Sequence, residues 1–157
     1  MNRVKNSVFS KSFLKSLFFV QNKWHEHGVL VHTLRVLYNI LKAREFKFFA
    51  AGILHDIGKP FCAYKKDDED IEFKEYSFTD HEERSYEIIK DWAFISDFTK
   101  NVVRYHYLIR DIAKSKDEDL LRYESKKKIL ESLDLELRED LEKFMLYDDL
   151  GKGKKRR

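Results

Sequence analysis

Four histidines and two aspartates stand on apolar faces of segments spread from residue 32 to residue 148, and any fold of this chain must bury them. His32 follows Val29 by three positions and precedes Val36 by four, so it borders the apolar stripe of its segment. His55 and Asp56 interrupt the nearly all-apolar run from Phe46 to Ile57. His81 shares a helical face with Ser85, Ile88 and Trp92, and His106 shares one with Val102 and Val103. Asp148 lies three positions after Met145 and four after Phe144. A lone histidine on such a face is an ordinary hydrogen-bonded core residue. Several imidazoles and carboxylates on separate apolar faces are unfavourable to bury unless something cationic gathers them, and a divalent metal is the simplest such cause. Asp149 stands on the less apolar face with Glu142 and Leu146, and is the alternative to Asp148 as final ligand.

Composition bounds the rest. With 157 residues, 43% hydrophobic and 15% aromatic, the chain has the length for one domain and the apolar content for a sizeable core. The expected division is a single domain over 1–150 and a basic tail over 151–157. The net charge of +3 comes from that tail, which holds five of the 31 basic residues and no acidic one. The body is therefore slightly acidic, unlike a dedicated nucleic-acid binder. The single cysteine, Cys62, excludes an internal disulfide framework and fits a reducing, cytoplasmic compartment. No apolar run approaches the roughly 20 residues of a membrane span, so no membrane partner is expected. The first 25 residues lack acidic side chains, but Phe9, Phe13, Leu17 and Val20 at helical spacing predict a first helix packed on the core rather than a transit peptide.

Helical periodicity dominates. Leu30, Leu34, Leu37 and Leu41 form one stripe, widened by Val29, Val36 and Ile40. Phe46 to Ile57 is expected as the central helix, stopped by Gly58, a residue free to turn left-handed, and by Pro60. Between Cys62 and Phe78 alternation around the acidic cluster Asp67 to Asp70 predicts a short β-hairpin or ordered loop. Thr79 or Asp80 is expected to cap a helix reaching about Ala93, with further helices at about Asp97 to Tyr107, Asp117 to Leu133 and Leu135 to Leu150. The expected class is all-α, a helical bundle with that one insertion.

The strings Val31-His32-Thr33-Leu34, Leu54-His55-Asp56-Ile57-Gly58-Lys59-Pro60, His81, Tyr105-His106 and Asp148 resemble the HD-domain phosphohydrolase superfamily over about Gly28 to Gly151. These strings are particularly similar to the HD domains attached to bacterial tRNA nucleotidyltransferases and to phage-type relatives. The resemblance implies an HD-like helical bundle in which His32, His55, Asp56 and Asp148 hold one divalent ion. It implies a second ion held by His81 and His106, with Asp56 bridging. Mixed imidazole and carboxylate ligation suits manganese, iron, cobalt, nickel or zinc better than calcium or magnesium.

Ions held there make water nucleophilic near neutral pH and neutralise phosphoryl oxygens. Asp56 is then a catalytic residue as well as a ligand. Lys59 is placed to pair with a substrate phosphate oxygen, or, more blandly, to complement a helix end. The expected substrate is a nucleotide, or a phosphate or cyclic phosphate at an RNA end. A metal-dependent single-strand nuclease and a non-catalytic, metal-stabilised regulatory domain are the alternatives. His25 and His27 match no ligand position and read as loop residues.

Overall fold

The computed structural model describes residues 28–62, 64–65 and 76–153. The expected first helix through Phe9, Phe13, Leu17 and Val20 lies outside the described residues. So do His25, His27, the acidic cluster 67–70 and the end of the basic tail, 154–157.

The helices are α1 (Val29–Lys42), α2 (Phe49–Leu54), α3 (Lys59–Cys62), α4 (His81–Ile89), α5 (Asp97–Tyr105), α6 (Leu108–Glu118), α7 (Leu120–Ser132) and α8 (Leu135–Gly151), with a 3-10 turn at Phe46–Phe48. Two short strands, β1 (Tyr64–Lys65) and β2 (Tyr76–Ser77), pair antiparallel with Tyr64 opposite Ser77 and Lys65 opposite Tyr76. The fold is all-α, and the ends of the expected hairpin segment pair as a hairpin does. Among the described residues, no helix is long and apolar enough to cross a membrane.

The core forms where α1 packs on α2 and α8, α5 packs on α2 and α8, and α4 packs on α5. Phe48 and Phe144, both fully buried, meet there with ring centroids 5.8 Å apart. The buried stripe of α1 is Val29, His32, Val36 and Ile40. The leucine stripe expected to lead the burial runs beside it, with Leu34 56% and Leu41 44% exposed. The two stripes are offset by about 100° around the helix, and the face that packs against α2 and α8 carries Val29, His32, Val36 and Ile40.

The expected central helix is broken at the His-Asp doublet. After Leu54 the backbone tightens to Ile57 N–H on the Leu54 carbonyl (3.2 Å) and Lys59 N–H on the Asp56 carbonyl (3.0 Å). Ser85 on α4 holds this turn: its hydroxyl donates to the His55 carbonyl (2.7 Å) and accepts from the Gly58 N–H (2.9 Å). Gly58 is not left-handed; among the described glycines only Gly153 has positive φ. Glycine is required because a Cβ at 58 would lie 2.5 Å from both the His81 carbonyl oxygen and the Ser85 nitrogen. Pro60 does not stop a helix either, for it sits in the first turn of α3, where a missing N–H leaves nothing unpaired.

Two further expectations need correction. Asp80 precedes α4 but makes no capping hydrogen bond, because its backbone is left-handed (φ 57°), a conformation aspartate tolerates. The helix α6 was not expected at all. Its buried residues include Asp111 and Ser115 rather than an apolar stripe. Asp111 takes the fork of Arg122 at 2.8 and 2.9 Å and the Lys126 ammonium at 3.1 Å. Those ion pairs tie down α7, which has no buried residue of its own. Side-chain caps from Ser96, Asp119 and Asp134 begin α5, α7 and α8, each contributing about 1 kcal/mol.

Candidate metal centre

Five separate elements deliver the expected ligands to one place. His32 comes from α1, His55 and Asp56 from the turn after α2, His81 from the first residue of α4, His106 from the end of α5, and Asp148 from the last turns of α8. None is more than 7% exposed.

The carboxylate of Asp56 stands between two imidazole pairs. Its Oδ2 faces His32 Nε2 at 3.4 Å and His55 Nε2 at 3.3 Å, and those two nitrogens are 3.2 Å apart. Its Oδ1 faces His81 Nε2 at 3.5 Å and His106 Nε2 at 3.8 Å, again with 3.2 Å between the nitrogens. Asp148 Oδ1 joins the first pair, 2.9 Å from His32 Nε2 and 3.7 Å from His55 Nε2. His32, His55 and Asp56 thus form one group able to hold an ion, and Asp56, His81 and His106 form another.

Second partners fix which nitrogens face inward. His55 Nδ1 donates to the Gly52 carbonyl (3.0 Å), His81 Nδ1 to that of Phe78 (2.9 Å) and His106 Nδ1 to that of Val103 (2.7 Å). A carbonyl can only accept, so each Nδ1 carries a proton and each ring turns Nε2 to the centre. Burial, then the Lys59 ammonium, pushes His81 down to about 4. Burial together with His81 and His55 holds His106 well below the usual histidine range. Two imidazole nitrogens that both have their lone pairs free thus stand 3.2 Å apart, an arrangement that a cation between them satisfies.

On the other side burial alone would lower His55, but the charge of Asp56, its hydrogen bond and Asp148 raise it. Burial opposes ionisation of both aspartates and is overcome. His55 and Lys59 hold Asp56 well below the ordinary carboxylate range, and His32 and Arg110 do the same for Asp148.

Lys59 is buried, with Nζ 2.7 Å from Asp56 Oδ2 and over the Phe78 ring. It belongs to the centre and not to an exposed helix end. Asp149 is half exposed and pairs with Arg110 and Lys152, both at 2.7 Å. Three contributors were not read from the sequence. Ser85 was seen only as a neighbour of His81 on one face. Gly151 lies so close to α1 that a Cβ there would come within 3.1 Å of the His32 ring. Arg110 had no sequence signal beyond standing four residues after His106.

The donor set fits a transition metal. Metal–nitrogen bonds of about 2.0–2.1 Å place neighbouring ligand atoms roughly 2.9–3.4 Å apart, close to the spacings within each group. An all-α fold with paired histidine–aspartate groups defines a class of metal-ligating helical proteins. The HD domain family model matches residues 29–143, so the chain belongs to the HD domain family, within the superfamily of metal-dependent phosphohydrolases. Asp148 lies beyond the matched residues. No curated protein and no solved structure matches the chain.

Proposed function

We propose that this protein is a metal-dependent phosphohydrolase acting on a nucleotide, or on a phosphate or 2′,3′-cyclic phosphate at an RNA end. The observation that carries the reading is Asp56, whose two oxygens each face a pair of imidazole nitrogens held 3.2 Å apart. His32, His55, Asp56 and Asp148 would hold one divalent ion, and Asp56, His81 and His106 a second. Such ions supply a water nucleophilic at neutral pH and neutralise phosphoryl oxygens. The likeness of Leu54 to Pro60 to the HD domains attached to tRNA nucleotidyltransferases supports the RNA-end branch of the proposal.

The chain's own groups supply orientation and charge. The carbonyls of Gly52, Phe78 and Val103 hold the rings of His55, His81 and His106 with Nε2 turned to the centre before any ligand binds. The Lys59 ammonium, anchored by Asp56, is the cation placed to take a phosphate oxygen as charge builds on it. The test is to load the purified protein with manganese, cobalt, nickel or zinc and offer it nucleoside mono-, di- and triphosphates, 2′,3′-cyclic nucleotides and RNA ending in each phosphate form. Metal-dependent release of phosphate or opening of the cyclic ester is expected. Metal uptake without turnover of any of these would end the enzymatic reading.

Two variants separate the roles. Lys59→Ala is expected to lower kcat/KM about tenfold to a thousandfold, or about 1.4–4 kcal/mol of transition-state stabilisation. Because the ammonium lies 2.7 Å from Asp56 Oδ2, its removal leaves the centre more anionic, and divalent affinity should hold or rise. Weakened metal binding in Lys59→Ala would instead make this lysine a structural prop of Asp56. His81→Ala and His106→Ala are each expected to cost the ion on the Oδ1 side and spare the one on the Oδ2 side. Metal stoichiometry by elemental analysis reads this directly, and two ions retained in both variants would reduce the centre to its other half.

A further inference from the structure

Asp148 is a buried carboxylate with only one oxygen turned to the histidines. Its Oδ1 lies 2.9 Å from His32 Nε2, while its Oδ2 takes Nη1 of Arg110. The same guanidinium reaches Asp149 Oδ1 through Nη2 at 2.7 Å and donates from Nη2 to the Met145 carbonyl at 3.2 Å. Arg110 rises from the first turn of α6, and its side chain is 17% exposed. Its three acceptors all belong to the C-terminal end of α8, where the helix dipole also favours a cation. A planar fork can bind two carboxylates and a carbonyl at once in a fixed geometry, which a lysine cannot do.

We propose that Arg110 is the positioning residue of the centre: by holding Asp148 Oδ2 it turns Oδ1 inward, and by holding Asp149 outward it selects Asp148 as the final carboxylate ligand. This rests on the metal-centre reading above. Lys152 assists on the outer side, 2.7 Å from Asp149 Oδ1. Asp149, half exposed, then serves as an arm of the clamp and not as a ligand. The arrangement also explains how two adjacent aspartates remain distinguishable in one turn of helix.

Positioning and simple charge make opposite forecasts. If Arg110 were only a nearby cation, neutralising it would tighten divalent binding. If it aims Asp148, neutralising it loosens binding, as loss of a partner that orients a ligand commonly does by about 10–100-fold. The experiment titrates Mn2+ into the full chain, freed of metal by chelation, by competition with a fluorescent chelator. Wild type, Arg110→Gln, Arg110→Lys, Asp148→Asn and Asp149→Asn are compared, and the melting temperature of each metal-free protein is recorded.

Arg110→Gln is expected to weaken the ion on the His32/His55 side about 10–100-fold while the ion on the His81/His106 side is unchanged. Arg110→Lys should fall between Gln and wild type. Asp149→Asn should stay within about threefold of wild type, since a half-exposed pair is worth little, whereas Asp148→Asn should lose that ion. Equal or tighter binding by Arg110→Gln overturns the proposal, and so does an equal loss at both ions. If both Arg110 variants fail to fold, the aspartate pair still decides: Asp149→Asn as damaging as Asp148→Asn makes Asp149 the ligand and ends the clamp. A wild-type chain that takes up no Mn2+ overturns the metal-centre reading and the clamp together, whereas two ions bound by wild type and unaffected by Arg110 overturn the clamp alone.

Discussion

Asp56→Ala will empty both halves of the proposed centre and abolish metal-dependent hydrolysis. The other five candidate ligands each face one side, whereas Asp56 sends Oδ2 to His32 and His55 and Oδ1 to His81 and His106. Removing it takes away the shared anion and leaves four imidazoles and Lys59 around the gap. Loss of a shared carboxylate should lower kcat/KM by at least about a thousandfold, or about 4 kcal/mol. Asp56→Asn is the sharper companion, since it keeps the volume and removes the charge. Elemental analysis and kcat/KM on the substrate found by the screen provide the readouts, and unchanged metal content in either variant would move the centre away from Asp56. Far-UV circular dichroism should remain helical in both variants, because the principal core contacts, Phe48 on Phe144 among them, lie on the neighbouring packed faces.

That Asp56 is central was legible in the sequence because a charged doublet in an otherwise apolar run demands a compensating partner. The inward direction of His32, His81 and His106 was legible for the related reason that each shares a face with valine or isoleucine. Ranking two apolar stripes on one helix was not legible: Leu34 and Leu41 are more hydrophobic than His32, yet they are exposed while it is buried. Hydrophobic pattern reports which faces are able to be buried, and the tertiary partner chooses among them. The helix α6 escaped notice because ion pairs hold it. Leu108-Ile109-Arg110-Asp111 offers little periodicity, and only the folded chain shows Arg110 turned to α8 and Asp111 to α7. Long-range charge pairing has no local sequence signature, so a device such as the Arg110 clamp emerges only from coordinates.

Gly58→Ala is the second large effect, and here general rules and the particular geometry disagree in sign. Gly58 has no positive φ, so an alanine would meet no backbone penalty and, by restricting the unfolded chain, should stabilise by about 0.4–1 kcal/mol. Against this, the new Cβ would lie 2.5 Å from the His81 carbonyl oxygen, 2.5 Å from the Ser85 nitrogen and 2.8 Å from Ser85 Oγ. Two of those three atoms are backbone, which no rotamer change can move aside. The first turn of α4 must shift away from the His-Asp turn, straining the Gly58 N–H to Ser85 hydrogen bond and carrying His81 with it. Overpacking costs about 1–3 kcal/mol, and a buried N–H left unpaired costs about 1–3 kcal/mol more. The clash outweighs the entropy gain, and a net loss of about 3 kcal/mol should lower Tm by roughly 6–12 °C in a chain of this size. The ion on the His81/His106 side should weaken before the one on the His32/His55 side. Adding Ser85→Ala removes only the hydroxyl, so the double variant should stay as unstable as Gly58→Ala or become more so. A double variant restored to wild-type Tm would place the conflict in the serine side chain, and a Gly58→Ala protein as stable as wild type would mean that α4 does not approach the His-Asp turn this closely.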